Sequence, residues 1–268
     1  LQDSAFPLVH DIIGTDDAQK AKAACKYDAV DLDMTEREIK FPAGAVIWAT
    51  GWKPYDAAKI QPYGYDRFDN VITNVEFERM ADPKGPTGGK IVRKDGKEAK
   101  NVAFIQCAGS RDRNHLYHCS RICCMASLKQ THYVVDAYDD AQVTIYYIDI
   151  RAIDRFEDFY QTVRAMDNVK FVKSKVANVI TDKEGNPICR GVDTEGYHRY
   201  ENTHDLVVLA TGMEPSVAKG DFPVDIVINR EGFIEPDAAN GGVFAAGSAS
   251  DALDVNRAVQ HATGAALK

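Results

Sequence analysis

The stretch "NVAFIQCAGS" (residues 101–110) is an unbroken apolar run that ends in a cysteine and a turn of small residues. Four similar runs occur elsewhere: "AGAVIWATG" (43–51), "AQVTIYYIDI" (141–150), "HDLVVLATG" (204–212) and "GGVFAAGS" (241–248). Continuous apolar character, rather than apolar-polar alternation, is typical of strands covered on both faces of a parallel sheet. The five runs therefore predict buried strands of an α/β protein.

Helices are expected between these strands. The sequence favours one helix over residues 119–137 and another over residues 255–268. A third is indicated by apolar residues that recur at three- and four-residue spacing, namely Ile153, Phe156, Tyr160, Val163 and Met166. Over residues 101–212 the order is strand, helix, strand, hairpin, strand, which is typical of a small dinucleotide-binding domain. We therefore expect "NVAFIQ", "VTIYYIDI" and "DLVVLA" in one sheet.

Composition narrows the class of protein. The 268 residues are 45% hydrophobic and 27% charged, as in a soluble globular protein. A formal net charge of −8 argues against a general nucleic-acid binder. No apolar run approaches the roughly 20 residues of a membrane-spanning helix, and no signal peptide is recognisable. We expect a cytoplasmic location, with any contact to the inner membrane made through partner subunits. Because the chain opens on Leu1, we also expect a fragment.

A doubled motif, "VIWATGWKP" (46–54) and "VVLATGMEP" (207–215), ends two of the predicted strands. A strand ending in Ala-Thr-Gly lets the backbone turn closely against a cofactor, because glycine has no side chain to obstruct the approach. One copy is equally consistent with a plain strand-to-loop exit, but two copies before prolines favour a cofactor site. Ala49, Thr50 and Gly51 of the first copy are therefore candidate binding residues.

The last predicted strand leads into a further candidate site. A helix that begins near residue 255 presents unpaired N–H groups and the positive end of its dipole. Such a terminus suits a phosphate or an electron-rich flavin carbonyl. The candidate binding residues around this turn and helix start are Gly247, Ser248, Val255, Asn256, Arg257 and Ala258.

Four of the six cysteines are clustered with the spacing C-x₁₁-C-x₃-C-C, at Cys107, Cys119, Cys123 and Cys124. Disulfides are disfavoured in a cytosolic α/β core, and a redox dithiol usually needs a C-x-x-C pair, which is absent. Zinc ribbons normally use two C-x-x-C knuckles. An iron–sulfur cube takes four thiolates. The spacing favours a cluster and leaves zinc and buried unligated thiols open.

The local geometry of the motif restricts how its cysteines can meet. Cys119 and Cys123 share a face if both are helical, whereas Cys124 is then rotated by about 100°. The helix must therefore begin late or bend if all four thiols are to converge. Nearby cations raise the potential of an anionic cluster, and the candidates are Arg111, Arg113, Arg121 and Lys129. We expect His115 and His118 to be surface residues, and Cys25 and Cys189 to be isolated thiols.

The two ATG turns, the late "VFAAG" and the terminal helix resemble the two-dinucleotide-domain flavoproteins of the thioredoxin reductase type. This resemblance implies FAD as a cofactor. The chain departs from that family in having Ser248 where an aspartate is usual, and in lacking any G-x-G-x-x-G fingerprint. We therefore expect an N-terminally incomplete two-dinucleotide-binding-domain flavoprotein, which binds FAD weakly or not at all as this chain alone.

The segment "FIQCAGSRDRNHLYHCSRICCMASLKQ" (104–130), followed by "VTIYYIDIRA" (143–152), resembles the family of heterodisulfide reductase A-subunits. In that family a C-x-G-S-R-D…C-S-R-x-C-C motif ligates a [4Fe–4S] cluster close to FAD. The resemblance implies that Cys107, Cys119, Cys123 and Cys124 are the ligands. They occupy the turn where a nicotinamide cofactor's pyrophosphate would otherwise bind.

The resemblance also implies a domain organisation. Residues 1–42 would be the remnant of a ferredoxin-like insert that keeps only Cys25, and residues 43–98 part of the FAD domain and a linker. Residues 99–213 would be an NAD(P)-binding-like domain rebuilt around the cysteines, and residues 214–268 the C-terminal part of the FAD domain.

Within this family, the degenerate insert and the ending "DVNRAVQHATGAALK" are similar to the quinone-interacting membrane-bound oxidoreductases of sulfate reducers. The partners would then be other subunits of the same complex and adenylylsulfate reductase. The implied function is an oxidoreductase subunit that relays electrons between FAD and the cluster, with no catalytic side chain of its own. An NAD(P)H-dependent disulfide reductase and a zinc-stapled interaction domain are the alternatives.

Overall fold

The computed structural model describes residues 13–35, 37–217, 226–235 and 242–268. The chain divides into two compact units, residues 1–44 and 45–268. Within the described part of the first unit lies one helix, α1 (Asp16–Ala24). Parts of two predicted segments lie outside the described residues: positions 1–12 and 36 of the insert remnant, and positions 218–225 and 236–241 of the C-terminal FAD segment.

A five-stranded parallel sheet is the centre of the second unit. In spatial order its strands are β3 (Val71–Thr73), β10 (Leu206–Thr211), β4 (Asn101–Ala108), β5 (Gln142–Tyr147) and β6 (Val169–Lys173). All four neighbouring pairs are parallel. The prediction that three of the apolar runs share one sheet is confirmed. The strand from "VTIYYIDI" lies inside the sheet, between β4 and β6.

Alternate residues of each strand face two different layers, because side chains of a strand point to opposite faces. Val102 and Phe104 pack on one face with three helices. These are α2 (Asn74–Ala81), α3 (Cys123–Ala137) and α4 (Glu157–Arg164). Phe77 of α2 meets Phe104 edge to face, with ring centroids 5.6 Å apart.

The opposite face of the sheet is covered by a second, antiparallel sheet and two short 3₁₀ turns. Its strands are β7 (Asn178–Thr181), β8 (Pro187–Asp193) and β9 (His198–Thr203), and the turns are Ala57–Lys59 and Gln61–Tyr63. Ala103 and Ile105 pack here with Tyr146 and Tyr200, whose rings are stacked at 5.2 Å. The predicted three-layer arrangement is confirmed, with the α-helices on one face of the sheet and the antiparallel strands on the other.

The remaining elements form smaller pairings. β1 (Val46–Trp48) pairs in parallel with β12 (Val243–Ala245), and β2 (Trp52–Pro54) pairs antiparallel with β11 (Met213–Pro215). A short 3₁₀ turn, Gly247–Ala249, and helix α5 (Val255–Leu267) follow. The predicted C-terminal helix is confirmed to within one residue of its end.

The structure corrects the expectations for two strands and for the predicted apolar stripe. "AGAVIWATG" is not a buried strand, because β1 pairs only with β12 among the described residues and Ile47 is 47% exposed. "GGVFAAGS" forms a strand that is only half-buried. The predicted apolar stripe is shorter than expected, since α4 begins at Glu157 and Phe156 is 49% exposed.

The helix predicted over residues 119–137 begins only at Cys123. The preceding loop is held by bonds to more distant residues instead: the N–H of Arg111 donates to the carbonyl of His118 (3.0 Å), and that of Leu116 to Gly109 (2.8 Å). Cys119 therefore belongs to the loop. Among the described residues, no helix is long and apolar enough to cross a membrane.

Candidate functional site

The four clustered cysteines line one cavity, between the end of β4 and the start of α3. We call it the cysteine cavity. Its lining residues are Cys107, Ser110, Arg111, Cys119, Ser120, Arg121, Cys123, Cys124, Asp149 and Arg151. Carboxyl ends of neighbouring parallel strands meet at one edge of the sheet. For this reason the segment after β5 supplies Asp149 and Arg151 to the cavity that begins where β4 ends.

The backbone around the cavity has an unusual conformation. Cys107, Arg111 and Arg121 have φ angles of 56°, 56° and 63°, in the left-handed region that non-glycine residues rarely adopt. The register between β4 and β10 also shifts at this point, so that Cys107 lies at a β-bulge. Bulges bend a strand and redirect its side chains, and often lie beside functional sites. Here the bulge places Cys107 on the cavity wall.

Gly109 is required by this turn. Its φ is +76°, and a Cβ at this position would approach the ring of Tyr55 to 2.8 Å. A side chain here would therefore clash with the ring as well as strain the backbone. After this turn the loop continues through Cys119 to the start of α3, where Cys123 and Cys124 lie.

The thiols make weak contacts with the surrounding backbone. Cys123 Sγ donates to the carbonyl oxygen of Thr211 at 3.5 Å, and Cys124 Sγ to that of Asp149 at 3.9 Å. Cys119 Sγ accepts from the N–H of Arg121 at 3.4 Å. All six cysteines lie within the described ranges, and all are free. The clustered thiols are therefore available as ligands.

Burial favours the neutral form of these thiols. It raises the pKa of Cys107, although the neighbouring Arg111 acts in the opposite direction. Burial also raises the pKa of Cys124 to about 11 and that of Cys123 well above its usual value. At neutral pH these three thiols are protonated, so binding a metal or cluster through them would release protons.

The donor set of the cysteine cavity fits an iron–sulfur cluster, whereas its present space does not. The cavity has a volume of about 10 Å³, which is room for a single water molecule. No group of three or more His, Cys, Asp or Glu side chains in the described ranges is arranged as a ready-made metal site. Four thiols around one cavity nevertheless provide the ligands that a cube takes. They would have to turn away from the cavity centre to admit it.

A second, larger cavity adjoins the first. It has a volume of about 430 Å³ and mostly apolar walls, and we call it the apolar cavity. Its lining residues are Trp52, Ile122, Met213, Ser248, Leu253, Val255, Ala258, Val259 and Ala262. This volume and character are those of a small-molecule site, so the residues fit the ring system of a flavin. Ile122 lines the apolar cavity, and the next residue in the chain, Cys123, lines the cysteine cavity.

The structure brings three of the predicted flavin-binding residues to this cavity: Ser248, Val255 and Ala258. Gly247 precedes them with a φ of 58°, and a Cβ built on it would lie 3.6 Å from the carbonyl oxygen of Ala258. Asn256, on the same helix, is exposed and lies outside the lining.

The other predicted flavin-binding residues are not among those that line the apolar cavity. Ala49, Thr50 and Gly51 are not in its lining. The Ser216 hydroxyl donates to the carbonyl oxygens of Thr50 and Gly51, at 2.6 and 2.9 Å. Arg257 is also absent from the lining, and its guanidinium lies 3.5 Å from a carboxylate oxygen of Asp154.

The predicted cations divide between the cavity and the surface. Arg111 and Arg121 line the cysteine cavity, whereas Arg113 is exposed and Lys129 pairs with Glu78 at 2.8 Å. Neither predicted surface histidine lines the cavity. His118 Nε2 lies 2.8 Å from the carbonyl oxygen of Met213.

Sequence reasoning missed Asp149 and Arg151. A signal for them was present: "VTIYYIDIRA" places both just beyond a strand that neighbours the strand ending in Cys107.

The crystal structure of thioredoxin reductase from T. acidophilum is similar to this chain in fold. The TM-score is 0.52 at 15% sequence identity, over 82% of this chain and 62% of that chain. The likeness confirms the predicted class: an α/β fold of the two-dinucleotide-binding-domain flavoproteins. At this identity the comparison establishes the fold alone.

No protein-family model matches the chain. Among curated proteins, the A-subunit of the ferredoxin/F(420)H(2)-dependent CoB-CoM heterodisulfide reductase of Methanosarcina acetivorans is 40% identical over 258 residues, covering 91% of this chain and 32% of that protein. The A-subunit of the H(2):CoB-CoM heterodisulfide,ferredoxin reductase of Methanothermobacter thermautotrophicus is 36% identical, covering 91% and 39%. The chain is therefore homologous to part of the heterodisulfide reductase A-subunit. It spans about a third of the length of these relatives.

Proposed function

We propose that this chain is part of an electron-transfer oxidoreductase subunit that relays electrons between FAD in the apolar cavity and a [4Fe–4S] cluster in the cysteine cavity. The observation that carries the proposal is the adjacency of the two cavities. Ile122 and Cys123, consecutive in the chain, line one cavity each. Two redox groups bound there would be separated by little more than the wall formed at the start of α3.

The chain's own residues would hold, orient and shield these groups. Cys107, Cys119, Cys123 and Cys124 would be the cluster ligands. Trp52, Met213 and Val259, with other apolar lining residues, would exclude water from the flavin ring. When bound, the flavin and the cluster supply the electron-transfer chemistry themselves. The protein's contribution is therefore the placement of the two cavities and the charge around the thiols.

We further propose that the partners are other subunits of a heterodisulfide-reductase-like or quinone-interacting complex, including adenylylsulfate reductase. The curated relatives are each named as one subunit of a larger enzyme, which supports a multi-subunit setting. Membrane contact would be made by a partner, and this chain would lie on the cytoplasmic side. The domain division at residues 42, 98 and 213 is part of the same proposal.

The test is the cofactor content of the anaerobically purified full-length protein, followed by stepwise reduction with dithionite. We expect FAD, at least about four iron atoms and about four sulfides per chain, and transfer of electrons from reduced flavin to the cluster, followed by electron paramagnetic resonance. A colourless protein with one zinc would favour the interaction domain instead. Rapid NAD(P)H-driven reduction of a bound flavin in a protein without iron would favour the disulfide reductase.

The chain of 268 residues provides a narrower test of the flavin site. Since only part of the predicted turn residues line the apolar cavity, we expect this chain to bind FAD weakly or not at all. Stoichiometric FAD that stays with the 268-residue chain through gel filtration would contradict that expectation.

A further inference from the structure

Charged side chains form a large part of the wall of the cysteine cavity. They are three arginines, Arg111, Arg121 and Arg151, and one carboxylate, Asp149. The local excess of two positive charges contrasts with the formal net charge of −8 for the whole chain. Positive charge close to a bound group favours the addition of an electron to it. The single carboxylate, Asp149, is therefore the negative charge in the lining that offsets the positive charge of the arginines.

Asp149 contacts two of these arginines. Its Oδ1 accepts a hydrogen bond from Arg111 Nη1 at 2.6 Å and lies 3.5 Å from Arg151 Nε. Its backbone carbonyl accepts from Cys124 Sγ at 3.9 Å. One residue thus connects the arginines to the start of α3. Because it follows β5, which pairs with β4, its position is set by the central sheet.

The pairs formed by Asp149 contribute little to stability. The side chains of Arg111, Asp149 and Arg151 are 25%, 46% and 44% exposed, and ion pairs at such positions typically contribute at most about 1 kcal/mol. The two kinds of charge also act on the sulfur atoms of the cavity. Asp149 and Arg111 line the same wall as Cys107 and Cys124. Because their charges are of opposite sign, they act in opposite directions on negative charge at the sulfur atoms.

We infer that Asp149 is a positioning residue that sets the reduction potential of the group held by the four cysteines, by offsetting part of the positive charge of Arg111 and Arg151. The inference rests on the proposed function. Reduction adds one electron and one negative charge to the bound group, and no bond is formed or broken. The carboxylate of Asp149 leaves the added charge less stabilised than three uncompensated arginines would.

Two substitutions with opposite expected signs test this role. Asp149→Asn keeps the size of the side chain and an acceptor oxygen for Arg111, but removes the charge, so the midpoint potential should become more positive. Arg151→Gln removes a positive charge and should make the potential more negative. Both shifts should shrink as salt is added, because these side chains are partly exposed and therefore screened.

The measurement is a dithionite titration of the full-length, iron-loaded protein, followed by electron paramagnetic resonance. Glu78→Gln is the matched control, since Glu78 is a carboxylate that pairs with Lys129 of α3 at 2.8 Å but lies outside the cavity lining. The midpoint potential of Glu78→Gln should equal that of the unmodified protein. A shift in Asp149→Asn that is absent, negative or equal to the control's shift would overturn the inference.

The outcomes separate this inference from the proposed function. An unmodified protein without iron would contradict the proposed function, and the inference with it. Full iron with potentials that do not respond to either substitution would overturn the inference alone. If Asp149→Asn loses its iron, Arg151→Gln decides: a more negative potential supports the inference and an unchanged potential overturns it.

Discussion

The described part of the chain contains two parallel sheets that arise from similar apolar sequences but differ in burial. In the five-stranded sheet, Val102 and Phe104 of β4 are fully buried. In the two-stranded sheet, Val46 and Ile47 of β1 are 38% and 47% exposed. Continuous apolar character correctly predicts parallel pairing in both. Burial depends in addition on the layers that cover a sheet. Among the described residues, only the larger sheet has helices on one face and strands on the other.

The two cavities also differ in the burial of the elements that border them. The cysteine cavity lies at the edge of the covered sheet, where strand ends fix Cys107 and Asp149. The apolar cavity is bordered by α5, whose Val255 and Val259 are 82% and 61% exposed. The cysteine cavity therefore borders the buried sheet, whereas the larger cavity is bordered by a helix with exposed apolar residues.

The largest expected effect on the free energy of unfolding comes from a substitution in the core. Phe104→Ala should lower the free energy of unfolding by about 3–5 kcal/mol, because it leaves a cavity among fully buried neighbours. Ile47→Ala, on the exposed strand, should lower it by less than about 1 kcal/mol. Urea unfolding of both variants checks the comparison. Equal losses would show that the two sheets are equally important for stability.

The stability of the protein should depend on pH through one buried histidine beside the five-stranded sheet. His204 is buried, with Nε2 3.0 Å from the Tyr146 hydroxyl and Nδ1 2.9 Å from Asn101 Oδ1. Burial lowers its pKa from 6.5 to about 4. Between these values the unfolded chain binds more protons than the folded one. The stability from neutral His204 is therefore present above pH 6.5 and lost as the pH falls towards 4.

The total change should be at most about 3 kcal/mol, at 1.36 kcal/mol per pKa unit. Denaturation of the unmodified protein and of His204→Gln, at several pH values in this window, measures it. The variant should show a weaker dependence on pH. Identical pH dependence in the two proteins would contradict this assignment.

The smallest effects concern helix caps in the two regions. Thr73 caps α2 beside the covered sheet: its hydroxyl accepts from the N–H of Glu76, and the Glu76 carboxylate accepts from the N–H of Thr73. Asp254 caps α5 by accepting from the N–H of Arg257 at 3.1 Å. Replacement of either by alanine should cost about 1 kcal/mol.

In calorimetry, Thr73→Ala should lower the main unfolding transition. Asp254→Ala should affect α5 with little change in that transition. A larger effect of Asp254→Ala on the main transition would reverse the comparison between the two regions.

Much of the fold and part of the site could be predicted from the sequence. Strand composition predicted the shared sheet, and the cysteine spacing predicted four thiols that the structure brings to one cavity. The cysteine spacing indicated that the helix must begin late or bend, but not that α3 begins at Cys123, since the loop before it is fixed by contacts such as Leu116 with Gly109. Asp149 and Arg151 were missed because their role depends on strand order. The exposure of Ile47 depends on neighbouring layers, which a local pattern does not encode.

The central claim is that Cys107, Cys119, Cys123 and Cys124 hold one [4Fe–4S] cluster. Its most direct test is the iron content of anaerobically purified full-length protein carrying Cys123→Ser, with Cys189→Ser, a fully buried free thiol outside the cavity, as the matched control. Cys123→Ser should lose about four iron atoms per chain and the electron paramagnetic resonance signal of this reduced cluster, while the control keeps both. Full iron and an unchanged signal in Cys123→Ser would contradict the claim.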